Sequence, residues 1–206
     1  MKAAVLPAVD APFELREVDD PVPQEGEALV RVRAAGINFI DILTRRGRYP
    51  QMPELPTVLG YELAGELEDG ARVMALAPGG GYAELAVVPQ RSLVPLPDDA
   101  SFAEGAGFLL TFLTAYIPLT RQVRFEEERT VLVHAAAGGV GTAAIQVARA
   151  LNATVIAAVG SPEKLELWSG RRIRPVIGAE FALDDVEQAH ELVESRRSTG
   201  KVVLTP

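Results

Sequence analysis

The chain of 206 residues contains no cysteine. That single absence removes disulfide cross-links, thiolate zinc sites and cysteine nucleophiles together, so any redox chemistry has to come from a bound cofactor. Long apolar runs are also missing. Nothing approaches the roughly 18 residues needed to cross a bilayer, and the opening MKAAVLPAVDAPFELREVDD is neither a hydrophobic signal segment nor an Arg-rich transit pattern. The expected location is cytoplasmic, with no membrane partner. Positive charge is scarce as well: 20 Lys and Arg stand against 28 Asp and Glu, a net charge of −8. A nucleic-acid partner would want a basic face to displace counterions, so none is expected, and any phosphate site must be local. Against these absences, 48% of the residues are hydrophobic, enough to bury a core in one domain or two small ones.

From Met1 to Pro97 short alternating segments (FELREV, ALVRVRAAG, YELAGELE, ARVMALA, YAELAVVP) are separated by Pro, Gly, Asp and Asn, the pattern of a small β-barrel or sandwich. NFIDILTRRG interrupts it as a helix, with Phe39, Ile42 and Leu43 on one face and Gly47 as the stop. From Asp98 the period changes. Ser101 and Glu104 have capping-box spacing, and the following GFLLTFLTAYIPL predicts one or two helices, the second ended or kinked at Pro118. A β-α-β unit comes next: strand TVLVH, turn AAAGGVG, helix TAAIQVARALN, strand TVIAAVG. Beyond Trp168, IRPVIGAEFAL reads as extended, DVEQAHELVESRR as a helix that Asp184 or Asp185 can cap, and KVVLTP as a last strand.

The turn is the most informative motif. Ala136, Gly138 and Gly141 occupy the three positions of a G-x-G-x-x-G fingerprint, with alanine first, between a strand and a helix as the physics requires. The middle glycine lets backbone approach a pyrophosphate, the last lets helix pack on strand, and the helix N-terminus, including Gly139 and Val140, offers free N–H groups and a positive dipole end. A tight turn without a ligand is the plainer alternative. A Walker A loop is excluded, because no Lys-Ser or Lys-Thr follows Gly141.

The end of the second strand bears on which dinucleotide binds. An NAD site would place Asp or Glu there to hold the ribose hydroxyls; the sequence offers Gly160, Ser161 and then Lys164. A hydroxyl and a cation suit a 2′-phosphate, so the expected cofactor is NADPH. Glu163, one turn into the next helix, weakens this reading, and Lys164 on a solvated face is the alternative.

The stretches AAGINFIDILTRRGRYP, LPTVLGYELAGELE, GGGYAELAVVP, FLTAYIPL, VLVHAAAGGVGTAAIQVARALNATVIAAVGSPEK and FALDDVEQAHELVESRRSTGKVVLTP cover nearly the whole chain in order. In them the chain resembles the zinc-free quinone oxidoreductase branch, zeta-crystallin-like, of the medium-chain dehydrogenase/reductase superfamily. The resemblance implies a fold of class α/β plus β-barrel. A GroES-like catalytic domain (residues 1–118 and 170–206) would enclose a truncated Rossmann-type dinucleotide-binding segment (119–169). Where zinc-dependent relatives carry a ligand cysteine and histidine, this chain reads GINFID and GYE, so no metal is expected.

A complete Rossmann domain has two β-α-β-α-β halves, whereas WSGRRIRPVIGAEF, which resembles the return to the catalytic domain, follows soon after Lys164. At roughly 30 residues per β-α-β unit, on the order of ninety residues are absent from the interior. The resemblance implies hydride transfer from NADPH to a quinone or enone, with Asn38 and Tyr49 lining the reacting end. Thr114 would reach the nicotinamide carboxamide and Arg196 the cofactor phosphates. The family tyrosine expected five residues past Asn38 is Leu43 here, and neither His134 nor His190 matches a catalytic position. The alternative function is a non-catalytic GroES-like scaffold whose nucleotide-domain stub serves as an assembly module or survives as a deletion relic. Either way TVLVH and TVIAAV have lost neighbours, so a homo-oligomer through the stub is expected, with Leu165, Leu167 and Trp168 adding to the contact or packing on the barrel.

Overall fold

The computed structural model of the chain describes residues 1–122, 129–165 and 173–206. Leu167 and Trp168, and the side chain of Leu165, lie outside that description. The alternating segments become strands β1 (Lys2–Leu6), β2 (Glu14–Glu17) and β3 (Glu27–Ile37), helix α1 (Phe39–Arg45), and strands β4 (Thr57–Val58), β5 (Glu62–Glu66), β6 (Arg72–Leu76), β7 (Leu85–Pro89) and β8 (Leu93–Pro95). The helical stretch gives α2 (Phe102–Ala106) and α3 (Leu109–Ile117), and the β-α-β unit gives β9 (Thr130–Val133), α4 (Gly139–Ala150) and β10 (Thr154–Ala157). The chain ends in β11 (Ile177–Ala182), α5 (Val186–Glu194) and β12 (Lys201–Thr205).

The main sheet runs β11-β12-β3-β5-β6-β8, with β7 also paired to β3, and β2-β1-β4 forms a second sheet. The C-terminal strand-helix-strand therefore adds to the sheet built by the first hundred residues, extending it beyond β3. β12 pairs antiparallel with β3 and parallel with β11. Leu6, Val30, Leu59, Leu63, Tyr82, Val88, Leu183 and Leu204 fill the core between the sheets.

Local signals act as the sequence predicts at several ends. Ser101 accepts from the Glu104 N–H while the Glu104 carboxylate accepts from the Ser101 N–H, which starts α2. Gly47 at φ +62° terminates α1, and Pro118 stands at the C-cap of α3. Asp185 occupies the N-cap of α5, but its side chain makes no capping bond and accepts from Gln188 Nε2 instead.

The apolar face expected on α1 is corrected. Ile42 is buried and Leu43 half-buried, but Phe39 is 46% exposed, and the buried set is Asp41, Ile42, Thr44 and Arg45. These polar groups are tolerated because each finds a partner: Asp41 accepts from the N–H groups of Asn38 and Gly60, Thr44 donates to the Ile40 carbonyl, and Arg45 pairs with Glu187.

β9 and β10 form a two-stranded parallel sheet, in register Thr154↔Thr130 to Ala157↔Val133. α4 covers one face through Ile145, Ala144, Val133 and Val155. α4 also packs on α3 through Phe112, Ala115, Ala143 and Val147, which fastens the β-α-β unit to the barrel. On the opposite face Leu132 is 56% and Ile156 54% exposed. No helix among the described residues is long and apolar enough to cross a membrane.

Candidate functional site

A cleft of about 770 Å³ opens where the glycine turn meets the barrel. Its lining comes from the start of α1 (Asn38, Phe39), from α3 (Thr111), from the strand end and turn (His134, Ala135 and 137–141, without Ala136), from beyond β10 (Gly160, Lys164), and from the approach to β12 (Arg196, Ser198, Gly200, Lys201).

The turn is held tightly. Ala136 N–H donates to the Ala158 carbonyl at 3.0 Å, and Gly138 N–H to the Ala135 carbonyl at 3.0 Å. Gly200 N–H reaches across from the barrel to the Ala137 carbonyl at 2.6 Å. The left-handed conformation falls on Ala135, φ +49°, and not on Ala136, which is why alanine can stand first in the fingerprint. A Cβ on Gly141 would lie 2.3 Å from the Ala135 carbonyl oxygen, so no side chain fits there; one on Gly138 would meet nothing closer than 3.4 Å. Gly138 is the N-cap of α4, and the first helical bond is Thr142 N–H to the Gly138 carbonyl. The N–H groups of Gly139, Val140 and Gly141 therefore have no acceptor within the helix.

Lys164 lines the far end, with Nζ 3.4 Å from the carbonyls of both Arg196 and Ser198. Arg196 also lines the cleft, from a left-handed position at φ +58°. Ser161, expected at the cofactor, is not among the residues lining the cleft; its hydroxyl donates to the Glu163 carboxylate, the largest cause holding that carboxyl below its ordinary value. Ala136 is fully buried under the turn.

The structure does not bring every expected residue to the cleft. Thr114 is exposed, donates to the Leu110 carbonyl at 2.6 Å and faces a shallow hollow with Leu113 and Ile117. Thr111, three positions earlier and nearly one turn back along α3, lines the cleft instead. Tyr49 does not line it either and forms a tilted pair with Tyr61 at 6.4 Å. His134, which matches no catalytic position of the family, is exposed and lines the cleft; His190 is buried against Tyr82 and Phe13.

Two charged residues were missed altogether. Lys201 is 3% exposed and Glu62 fully buried, with Lys201 Nζ 2.8 Å from Glu62 Oε2. Lys201 Nζ also donates to Asn38 Oδ1, while Asn38 Nδ2 donates to Glu62 Oε2 at 3.2 Å and to the Gly36 carbonyl at 3.3 Å. A signal was there: each is the charge that opens a strand otherwise apolar at its next positions, ELAG and KVVL. Among the described residues no group of three His, Cys, Asp or Glu could hold a metal ion.

Residues 24–98 match the family model of the alcohol dehydrogenase GroES-like domain. The whole chain superimposes on the quinone oxidoreductase of Thermus thermophilus, which has been solved alone and in complex with NADPH, with a TM-score of 0.92, 32% identity and coverage of 100% of both chains. The chain belongs to the quinone oxidoreductase branch of the medium-chain dehydrogenase/reductase superfamily. Among curated members, the quinone oxidoreductase of Pseudomonas aeruginosa is 42% identical over 166 residues, 75% of this chain and 51% of that protein. The human synaptic vesicle membrane protein VAT-1 homolog-like is 40% identical over 136 residues, 61% of this chain and 32% of that protein. The chain thus spans a third to a half of the length of these curated relatives.

Proposed function

We propose that the cleft binds an NADP-type dinucleotide and that the protein is an oxidoreductase passing hydride between the nicotinamide and a small quinone or other conjugated carbonyl. One observation carries this reading. The protein has a net charge of −8, yet the described lining of this cleft includes Lys164 and Arg196 and no Asp or Glu, the charge of Lys201 being balanced by Glu62 beneath it. With the free N–H groups at the start of α4, that local field suits a diphosphate and a further phosphate at the Lys164 end. The bound nicotinamide would supply the hydride. The protein's part is to hold the pyrophosphate over Gly138, to line the reacting end with Asn38, Phe39 and Thr111, and to keep that end shielded from water. In this reading residues 1–118 and 170–206 form the catalytic domain and 119–169 the nucleotide-binding segment.

A second reading, an assembly module without turnover, is supported by the two-stranded sheet: one face is bare at Leu132 and Ile156, where a full nucleotide domain would cover it. Two copies would associate through that face in either case.

Calorimetric titration with NADPH and NADH tests the first reading. NADPH should bind at least about tenfold more tightly, and Lys164→Glu should erase the difference. Equal affinities for the two cofactors would overturn the preference. Binding without oxidation of NADPH by 1,4-benzoquinone would favour the module.

A further inference from the structure

Three adjacent strands deliver one polar cluster to the floor of the cleft. In the register of the sheet, Val202 faces Ile37 and Ala35 faces Leu63, so Lys201, Asn38 with Gly36, and Glu62 stand side by side at one end of β12, β3 and β5. Gly36 between them has no side chain, and that gap is what lets lysine reach glutamate: a Cβ there would lie 2.8 Å from Lys201 Cε and 3.0 Å from Glu62 Oε2. Gly107 and Gly139 line the rest of the lysine stem, where a Cβ would come within 3.1 Å of Cγ and 3.6 Å of Cδ. Glu62 Oε1 accepts from Leu110 N–H at 2.9 Å, which ties the cluster to α3.

The chemistry of the partners fixes the Asn38 amide. An ammonium only donates and a carboxylate only accepts, so Oδ1 must face Lys201 and Nδ2 must face Glu62 and the Gly36 carbonyl. The Asp41 N–H donates to the main-chain oxygen of Asn38 at 3.0 Å, and the Asn38 side chain, in capping-box arrangement at the start of α1, makes no cap hydrogen bond of its own. Both Nδ2 protons are spent inside the protein, and the capacity left to the amide is the second lone pair of Oδ1. A buried ion pair of this kind is costly to desolvate, and an apolar pair of the same volume would serve folding as well.

We propose that the Lys201–Glu62 pair is a positioning device that makes Asn38 a hydrogen-bond acceptor for the ligand, receiving a hydroxyl or amide N–H of the nicotinamide nucleoside instead of donating to a substrate carbonyl. Lys201 acts here through Asn38 and is a positioning residue. The identity of the ligand rests on the dinucleotide reading above; the clamp on the amide does not.

The chain has only two asparagines, Asn38 and the exposed Asn152, so asparagine-selective labelling yields two carboxamide signals with an internal control. In the unaltered protein the Asn38 NH₂ protons should exchange with solvent at least about tenfold more slowly than those of Asn152. Saturating NADPH should move the Asn38 13Cγ resonance and leave that slow exchange in place. In Lys201→Met/Glu62→Gln, which removes both charges and keeps an acceptor for Leu110, Asn38 exchange should rise to within about threefold of Asn152 with the backbone spectrum retained. Fast Asn38 exchange in the unaltered protein, loss of slow exchange on NADPH binding, or unchanged exchange in a folded double variant would each overturn the proposal. If the double variant does not fold, the NADPH arm on the unaltered protein decides. Failure of millimolar NADPH to shift the Gly138 and Gly141 amides would overturn the dinucleotide reading, and the clamp would then stand or fall on the exchange measurements alone.

Discussion

Gln146 of α4 and Arg174 exchange a pair of hydrogen bonds: Gln146 Nε2 donates to the Arg174 carbonyl at 2.9 Å, and Arg174 N–H donates to Gln146 Oε1 at 2.8 Å. A side-chain amide thus imitates a strand neighbour for the backbone where the chain returns from the β-α-β unit to the barrel. Gln146→Leu leaves both main-chain groups of Arg174 without that partner. It should cost about 1–3 kcal/mol of stability, read as a lowered Tm, with faster hydrogen exchange at Arg174. No change in either would show that water satisfies the segment equally well.

The two glycines at the ends of the fingerprint turn should separate binding from folding. Gly138→Val places its side chain toward the cleft with ordinary contacts, so Tm should hold while NADPH affinity drops at least about tenfold. Gly141→Ala drives a methyl into the Ala135 carbonyl and should lose about 1–3 kcal/mol of stability. Undiminished NADPH binding in the valine variant would reduce the loop to a plain turn.

Association is expected at the bare face of β9 and β10. Sedimentation at micromolar concentration should show a dimer for the unaltered chain. Leu132→Lys/Ile156→Lys should shift it to monomer with little change in the thermal transition, because both side chains already point outward. A monomeric unaltered chain would sink the association.

Two buried groups pull stability in opposite directions with pH. Burial, aided by the charges of Arg45 and Arg46, lowers His190 to about 3, while burial raises Asp41 to about 7 against the hydrogen bonds from Asn38 and Gly60. The unfolded chain protonates histidine near its ordinary 6.5 and the folded one does not, so the His190 contribution is full above that value and is lost as pH falls toward 3. For Asp41 the folded state holds the proton more tightly, so its contribution is present at low pH and is lost as pH rises toward 7. His190→Gln removes the acid-side loss. Between pH 4 and 6 its unfolding free energy should fall less steeply on acidification than that of the unaltered protein, by up to about 1.4 kcal/mol per pH unit. Parallel curves would show that His190 is not the responsible group.

Much of the architecture is legible in the sequence. The strand-turn-helix-strand around Gly138, the capping box at Ser101 and the stop at Gly47 are local signals whose physics operates within a few residues, and each appears where the sequence puts it. The apolar face of α1 was misread for the opposite reason: Asp41 and Arg45 are buried only because Gly60 and Glu187, distant in sequence, supply partners.

The sequence by itself determined the classes of element and the place of the glycine turn, because hydrophobic period, capping and backbone freedom are properties of neighbouring residues. Only the tertiary structure decided which side chains meet in the cleft. Thr111 stands there and Thr114 does not, since a difference of a few helical positions changes the direction a side chain points. Lys201 finds Glu62, 139 positions away, because β3 brings their strands to either side of a glycine that leaves the gap between them open. Such a contact depends on strand order and register, and these are fixed by the packing of the whole barrel.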